Sequence, residues 1–427
     1  MMLLILLLLQ NPPAGIDIEL TGNIFFSSPY LLGDMVVKDR NDLERVIASI
    51  LDRYTDAGFP FCRISPRIVT SDDTLKKIVL KIEEGKRIII TDYLFKIQGK
   101  TSQKVLQKLI GLKKDTYFST KKIESAKRRL SKTGVFEEIN EDIVLRRENY
   151  YVLFDIKEKK SDYLNAAGTF AEGLFDFSAS IYSLNLLGTL RRLQFLYEYK
   201  KLFSLKFTDP ILLHPEILGA DFSLWSYDTM RLVQINGEIS APLANHFTIS
   251  LLSGIEMVTY NSSDSLLEDH TDNLIGVGAG FDFDKQLWSC EQKVRFNYLF
   301  RENDRENFEY DGAFRIKKLY LRPHYRLVKT DGFEFFDYYR LGGVKSLRGY
   351  FEEEFIVDEA FWFNLEYKFF FIYPLFDVGL IEDKIKYSYG CGIDAYSTFA
   401  DASLIIAFPE QGTWRDGKVH LMLEKVF

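Results

Sequence analysis

From about residue 162 to the end, apolar and polar residues alternate in short runs separated by breaks. Tyr387, Tyr389, Cys391, Ile393 and Ala395 fall on one face of such a run, and Ser388, Gly390, Gly392 and Asp394 on the other. Phe361, Phe363, Leu365, Tyr367 and Phe369 oppose Trp362, Asn364, Glu366 and Lys368 in the same way. Leu193, Phe195, Tyr197 and Tyr199 oppose Gln194, Leu196 and Glu198. Two-residue periodicity means strands. Runs of about ten residues with no helix-length apolar stretch are how a transmembrane β-barrel is written in sequence. Only helices and closed barrels satisfy their backbone in lipid. The expected fold is therefore membrane all-β, a sixteen-stranded antiparallel transmembrane β-barrel over 161–427, with apolar rows toward lipid and polar rows toward the lumen.

The expected strands lie near 163–171, 174–184, 189–199, 202–209, 217–227, 229–240, 246–260 and 273–284. The remainder lie near 287–300, 308–328, 332–340, 360–371, 374–383, 387–396, 400–408 and 417–427. An even count puts both ends of the barrel on one side. The odd connections then face outward, and they include the long ones 261–272, 301–307, 341–359 and 409–416, whereas 185–188 and 397–399 are short.

The pattern changes before residue 160, where a module occurs twice. Ile18–Asn23 matches Phe95–Lys100 at an offset of 77, Arg53–Gly58 matches Arg129–Gly134 at 76, and Val79–Glu84 matches Leu153–Glu158 at 74. Three matches in one order at nearly one offset indicate a duplicated unit. The boundaries are 15–86 and 87–160. Each copy reads strand, helix, helix, strand, strand. Leu43, Val46, Ile47 and Ile50 recur at helical spacing, as do Ile123, Ala126 and Leu130. Gly58 and Gly134 stand where a helix needs its C-terminal glycine. Ile78, Leu80 and Ile82 share one strand face. Such a module is a small sheet under two helices, and it either leaves an edge open to another chain's strand or serves as a spacer whose edges are blunted.

Composition adds little to this picture and contradicts none of it. Aromatics make up 15% of 427 residues, with 36 Phe and 24 Tyr, as barrel girdles require. A net charge of −7 gives no electrostatic case for nucleic acid. Lys113, Lys114, Lys121, Lys122, Lys127, Arg128 and Arg129 make the second module basic, which reads as a solvated helix face. Cys62, Cys290 and Cys391 are isolated and imply neither a disulfide framework nor a metal site. No nucleotide, zinc-protease or serine-hydrolase motif occurs. Among the five histidines, His420 is the candidate considered for a hydrolase pair, and nothing in sequence pairs with it. No catalytic, cofactor-binding or metal-binding residue is expected. Met1 to Leu9 is wholly apolar, too short to span a bilayer as a helix. It is followed by Asn11-Pro12-Pro13, so residues 1–14 read as an export signal.

Several local motifs are similar to a known family. Gly58-Phe59-Pro60-Phe61 and Thr133-Gly134-Val135-Phe136 look like the helix-to-strand turns of POTRA modules. Asn185-Leu186-Leu187-Gly188 looks like the family's turn after the second barrel strand, and Phe207-Thr208-Asp209-Pro210 like the end of the fourth. Leu347-Arg348-Gly349-Tyr350 resembles the Val-Arg-Gly-Phe/Tyr motif of the sixth outer loop, with Leu in place of Val. Asn364-Leu365-Glu366-Tyr367 and Phe376-Asp377-Val378-Gly379 resemble the segments that receive it. Over about 16–427 the chain resembles the BamA/TamA type of outer-membrane assembly protein, two POTRA modules and a barrel.

The face pattern agrees with that resemblance. Glu366 and Asp377 both point inward on neighbouring strands, and two such carboxylates need a cation between them. Arg348 offers a planar fork suited to carboxylates, and Gly349 lets the loop turn. Leu347, Arg348, Gly349, Tyr350, Glu366 and Asp377 thus form an expected lumenal loop lock. Val419, Leu421, Leu423 and Phe427 form an expected terminal-strand signal, which Lys425 interrupts.

The resemblance implies a bacterial outer-membrane location with periplasmic POTRA modules. Its implied partners are the lipid bilayer and unfolded outer-membrane or secreted client polypeptides, with periplasmic chaperones or accessory lipoproteins beside them. It implies that the modules receive a client and that a seam between the first and last strands templates it. Two alternatives stand. A two-partner secretion transporter would serve one secreted client, and its lumen-plugging helix is not evident before residue 16. A passive porin would have no use for the duplicated modules.

Overall fold

The computed structural model describes residues 16–71, 74–171, 174–244, 246–261, 268–285, 287–381, 383–397, 400–413 and 415–426. The expected signal segment 1–14 and Phe427 lie outside them. The chain divides into two compact units between Lys159 and Lys160.

In the first unit the duplicated module is built as β1 (Asp17–Thr21), α1 (Ser28–Leu32), α2 (Arg40–Asp56), β2 (Arg63–Ser71) and β3 (Thr74–Glu83). Asp39 caps α2 by accepting from the Asp42 amide at 2.8 Å. Leu43, Val46, Ile50 and Tyr54 then recur every third or fourth residue and pack in one core with Leu20, Ile78, Leu80 and Ile82. The helix stops where Gly58 takes φ +106° and the Phe59 amide reaches back to the Tyr54 carbonyl at 3.0 Å, a reach across six residues that releases the chain toward β2. The sheet order is β1-β3-β2, with β1 parallel to β3.

The second module repeats this plan with β4 (Ile89–Gln98), α3 (Gln103–Ile110), β5 (Thr116–Tyr117), α4 (Thr120–Lys132), β6 (Phe136–Arg146) and β7 (Asn149–Glu158). Its order is β5-β4-β7-β6, and β4 runs parallel to β7 as β1 does to β3. Ile123, Ala126 and Leu130 are buried, and Gly134 at φ +72° repeats the role of Gly58. In both sheets the strand after the second helix, β2 or β6, lies at an edge.

The modules are joined by Asp56, the last residue of α2. It pairs with the Lys121 ammonium at 2.8 Å and accepts from the Lys121 amide at 2.9 Å and the Ser119 hydroxyl at 3.2 Å. Ser119 is itself the cap of α4, so the acid of one module sits at the positive helix end of the next. Burial works against the charge on Asp56. The hydrogen bonds from Lys121 and Ser119 outweigh it and hold the carboxyl below the ordinary carboxylate range. Arg87 reinforces the joint, donating to the Ala57 carbonyl at 2.9 Å while its guanidinium lies 3.6 Å from the Tyr117 ring centre.

The second unit is a closed antiparallel barrel of sixteen strands. It begins with β8 (Asp162–Ala171), β9 (Leu174–Leu186), β10 (Arg191–Glu198), β11 (Leu202–Asp209), β12 (Ile217–Ser226) and β13 (Met230–Pro242). It continues with β14 (Phe247–Tyr260), β15 (His270–Asp284), β16 (Trp288–Phe300), β17 (Arg305–Ile316) and β18 (Leu319–Lys329). A small ribbon of β19 (Tyr339–Leu341) and β20 (Phe355–Val357) stands apart from the wall. The wall resumes with β21 (Glu359–Tyr367), β22 (Ile372–Ile381), β23 (Lys384–Ala395), β24 (Asp401–Pro409) and β25 (Lys418–Val426). β25 pairs with β8 from Val419↔Phe170 to Val426↔Tyr163, which closes the cylinder.

Side-chain direction follows the alternation. Tyr387, Tyr389 and Ile393 are exposed on the outer face while Ser388 is buried. Phe361 and Tyr367 are exposed while Trp362, Asn364 and Glu366 are buried. An apolar outer surface on this scale is a lipid-facing surface. The turn motifs have local causes. Asn185 accepts from the Leu190 amide at 2.8 Å around a bend in which Leu187 and Gly188 both take positive φ. Buried Asp209 accepts from the Ile211 and Leu212 amides at 2.8 and 2.9 Å, and Arg191 lies 2.8 Å away.

Three expectations are corrected. The stretch 308–328 is two strands, β17 and β18, because Lys317 adopts φ +55° in a two-residue turn that has no Gly, Pro, Asn or Asp to announce it. The stretch 332–340 is no wall strand. Its alternating Phe333, Phe335 and Tyr339 belong to a loop, and Phe335 packs on Tyr227 at 5.2 Å. The two errors cancel, so the expected count of sixteen is reached by a different partition. The rule of polar-inward rows also fails in β22, where Tyr373, Leu375 and Ile381 are buried beside Asp377. Ile381 packs against the loop described next, whereas Tyr373 and Leu375 pack with Ile405 and Ala407 of β24, and both replace water on that part of the lumenal face.

Candidate functional site

The connection between β18 and β21, residues 330–358, folds back into the barrel and carries Leu347-Arg348-Gly349-Tyr350 onto the inner faces of β21 to β25. Leu347 is fully buried in an apolar cluster with Leu341, Tyr350, Val357, Trp362 and Ile381. That packing brings the next residue against the wall.

Arg348 is 3% exposed and meets both inward carboxylates. Its Nε donates to Asp377 Oδ2 at 2.9 Å and its Nη2 to Oδ1 at 2.5 Å, a two-pronged pairing. Nη1 donates to Glu366 Oε1 at 2.5 Å. The main-chain N–H of Arg348 also donates to Asp377 Oδ2, at 3.0 Å, so the acid holds the loop backbone as well as the side chain. Asn364 donates to Asp377 Oδ1 at 2.8 Å and to the Ser346 carbonyl at 2.5 Å, and Ser388 donates to Asp377 Oδ2 at 3.3 Å. Glu366 has a second cation, Arg322, at 3.2 Å, and Lys368 lies 3.9 Å away. Two carboxylates and two arginines balance, which is the condition for burying them together.

Gly349 fits because nothing larger would. A Cβ there would stand 2.6 Å from the Phe408 backbone on β24 and 2.6 Å from Ser388 Cβ on β23. Tyr350 is buried and its hydroxyl donates to the Tyr387 carbonyl at 3.1 Å. All six residues expected to form the lock are therefore gathered at one place. Val419, Leu421 and Leu423 lie on the outward row of β25, away from the loop, and Phe427 lies outside the described residues.

The sequence reading did not anticipate three further anchors. Near the loop's start, Asp337 accepts from Arg301 at 2.6 Å and from Arg305 at 2.7 Å, and Arg305 forks onto Glu256 of β14 at 3.0 and 3.1 Å. At the loop tip, Lys345 pairs with Glu198 of β10, and Glu353 lies 3.7 Å from Lys201. Finally, His420 of β25 places Nε2 2.7 Å from the Arg348 carbonyl oxygen. The pairs in these networks are far apart in sequence and become visible only once the loop's path is known. The arrangement is structural chemistry, a peptide loop pinned across a lumen. Among the described residues no cluster of His, Cys, Asp and Glu could hold a metal ion.

Comparison with known proteins agrees with this architecture. The family profile described as POTRA, surface antigen variable number repeat, matches residues 94–159, the second module. BamA from Haemophilus ducreyi lacking POTRA domains 1–3 is similar over 98% of this chain and 100% of that one, at 13% identity and a TM-score of 0.59. CdiB from Acinetobacter baumannii is similar over 98% and 91%, at 11% identity and a TM-score of 0.64. CdiB from Escherichia coli gives the same coverage, 11% identity and a TM-score of 0.62. No curated protein sequence matches the chain. At these identities the likeness is one of fold.

Proposed function

We propose that this chain, whose fold is of the BamA/TamA type with POTRA modules before an outer-membrane barrel, assembles or translocates client polypeptides at the outer membrane. In this reading the POTRA modules stand in the periplasm and receive an unfolded client by strand addition at the edge strands β2 and β6. The seam between β8 and β25 then parts and templates the client's strands. The physical reason is an edge whose N–H and C=O groups can pair with an incoming strand, which lowers the cost of bringing that strand into lipid. Arg348, held by Glu366 and Asp377, keeps the loop in the lumen and the wall strands β21 to β25 in register while this happens.

The observation that carries the reading is the pinned loop. A diffusion pore gains nothing from a buried guanidinium gripping two wall strands, with an edge-bearing arm ahead of it. The second reading, a two-partner transporter passing one secreted client, has the likeness in fold to the two CdiB structures in its favour. Depletion of the protein followed by quantitative profiling of outer-membrane and secreted proteins separates them. Broad loss of barrel proteins is the expected result. Loss of a single secreted product assigns the transporter role, and an unchanged profile refutes both.

A further inference from the structure

His420 is wholly buried on the inner face of β25, the last strand, and its two ring nitrogens are both used. Nε2 lies 2.7 Å from the carbonyl oxygen of Arg348 in the loop. Nδ1 lies 2.9 Å from the hydroxyl of Thr169, directly opposite in register on β8, the first strand. A carbonyl only accepts, so Nε2 must carry the proton. In the neutral ring Nδ1 is then a bare acceptor, and the Thr169 hydroxyl donates to it. Every group is satisfied, and the tautomer is set by its neighbours.

Arg348 is thereby held through both of its main-chain polar groups, one on each side of its Cα. Its N–H donates to Asp377 on β22, and its C=O accepts from His420 on β25. A continuous chain runs from Asp377 through Arg348 and His420 to Thr169, from the loop's seat to the far side of the seam. We infer that His420 is a positioning residue that couples seating of the lumenal loop to closure of the β8–β25 seam. This rests on the proposed function only in taking the seam as the strand pair that opens.

The cause is the cost of leaving a buried polar atom unpaired. When β8 leaves, Thr169 goes with it and Nδ1 loses its donor. When the loop leaves, the Nε2 hydrogen loses its acceptor. Each event weakens the bond that remains, because a donor at Nδ1 polarises the ring and strengthens the Nε2–H as a donor, and the reverse holds. Coupling of this kind is reciprocal: whatever factor the seated loop contributes to a closed seam, the closed seam returns to the loop.

The test uses the full chain in lipid nanodiscs and reads amide hydrogen exchange in β8, β25 and loop residues 346–350. Thr169→Val keeps the shape and removes the hydroxyl. It is expected to speed exchange at the seam by about threefold to tenfold, the worth of one hydrogen bond, and to speed exchange in the loop as well, although it touches no loop residue. Thr169→Ser, which restores the hydroxyl, is expected to return both to wild-type rates. A purely local role would change the seam alone. If Thr169→Val leaves the loop at its wild-type rate, or changes neither segment, the coupling is refuted. Depletion profiling decides the client role separately, so either idea can fail while the other survives.

Discussion

Asp377 holds Arg348 by both its backbone and its side chain: one carboxylate oxygen accepts from the Arg348 amide at 3.0 Å and from its Nε at 2.9 Å. Loop position and side-chain position are thus a single constraint. Arg348→Ala leaves Asp377 buried without its main cation. Breaking a buried pair from one side costs about 3–5 kcal/mol. The barrel is expected to unfold at lower urea concentration, read as the shift between folded and unfolded gel mobilities.

The two acids are not equivalent. Glu366 retains Arg322 when Arg348 is lost, whereas Asp377, among the described residues, keeps no arginine or lysine and has the amide of residue 348, Asn364 and Ser388 as its donors. Asp377→Asn is therefore expected to destabilise the barrel more than Glu366→Gln, by about 1.5–3 kcal/mol, the scale of a charged hydrogen bond. The same unfolding assay ranks them, and equal losses would contradict the asymmetry.

Gly349 is expected to tolerate no side chain. In Gly349→Ala the new Cβ meets backbone of β24, which cannot swing aside. Overpacking of this kind costs about 1–3 kcal/mol. Limited proteolysis of intact membranes should show cleavage within 330–358 that the wild type resists.

The joint between the POTRA modules should loosen in acid. The Asp56 carboxyl sits below its ordinary range in the folded protein. Its contribution is therefore present above the unfolded value, near pH 4, and is lost as pH falls through the lowered folded value. Spin labels on the two modules should report a fixed distance from pH 8 to 5 and a broader one in stronger acid. Asp56→Asn should be broad throughout.

Much of this was legible in the residues, and the reasons differ by element. Two-residue alternation exposed the wall, because a strand between lipid and lumen must alternate. Glu366 and Asp377 were readable as inward because their neighbours Leu365, Phe376 and Val378 are apolar. The turn at Lys317 was not readable, since lysine in a left-handed bend has no sequence signature. Nor was the loop segment 332–340, whose aromatics alternate like a strand but pack on one another and on Tyr227 in the turn between β12 and β13. Asp337 and His420 were missed because each finds its partner only after the loop has entered the barrel, and Thr169 because it meets His420 only once the last strand closes on the first.

The most direct test of the account is a reversible lock on the seam. Ala167 and Met422 are register partners on β8 and β25. Ala167→Cys with Met422→Cys, in a chain whose own three cysteines are changed to alanine, joins them on oxidation. Cells depleted of the native protein should recover their outer-membrane barrel proteins when this variant is kept reduced, and lose them when it is oxidised. Undiminished assembly through a fully crosslinked seam would contradict the account.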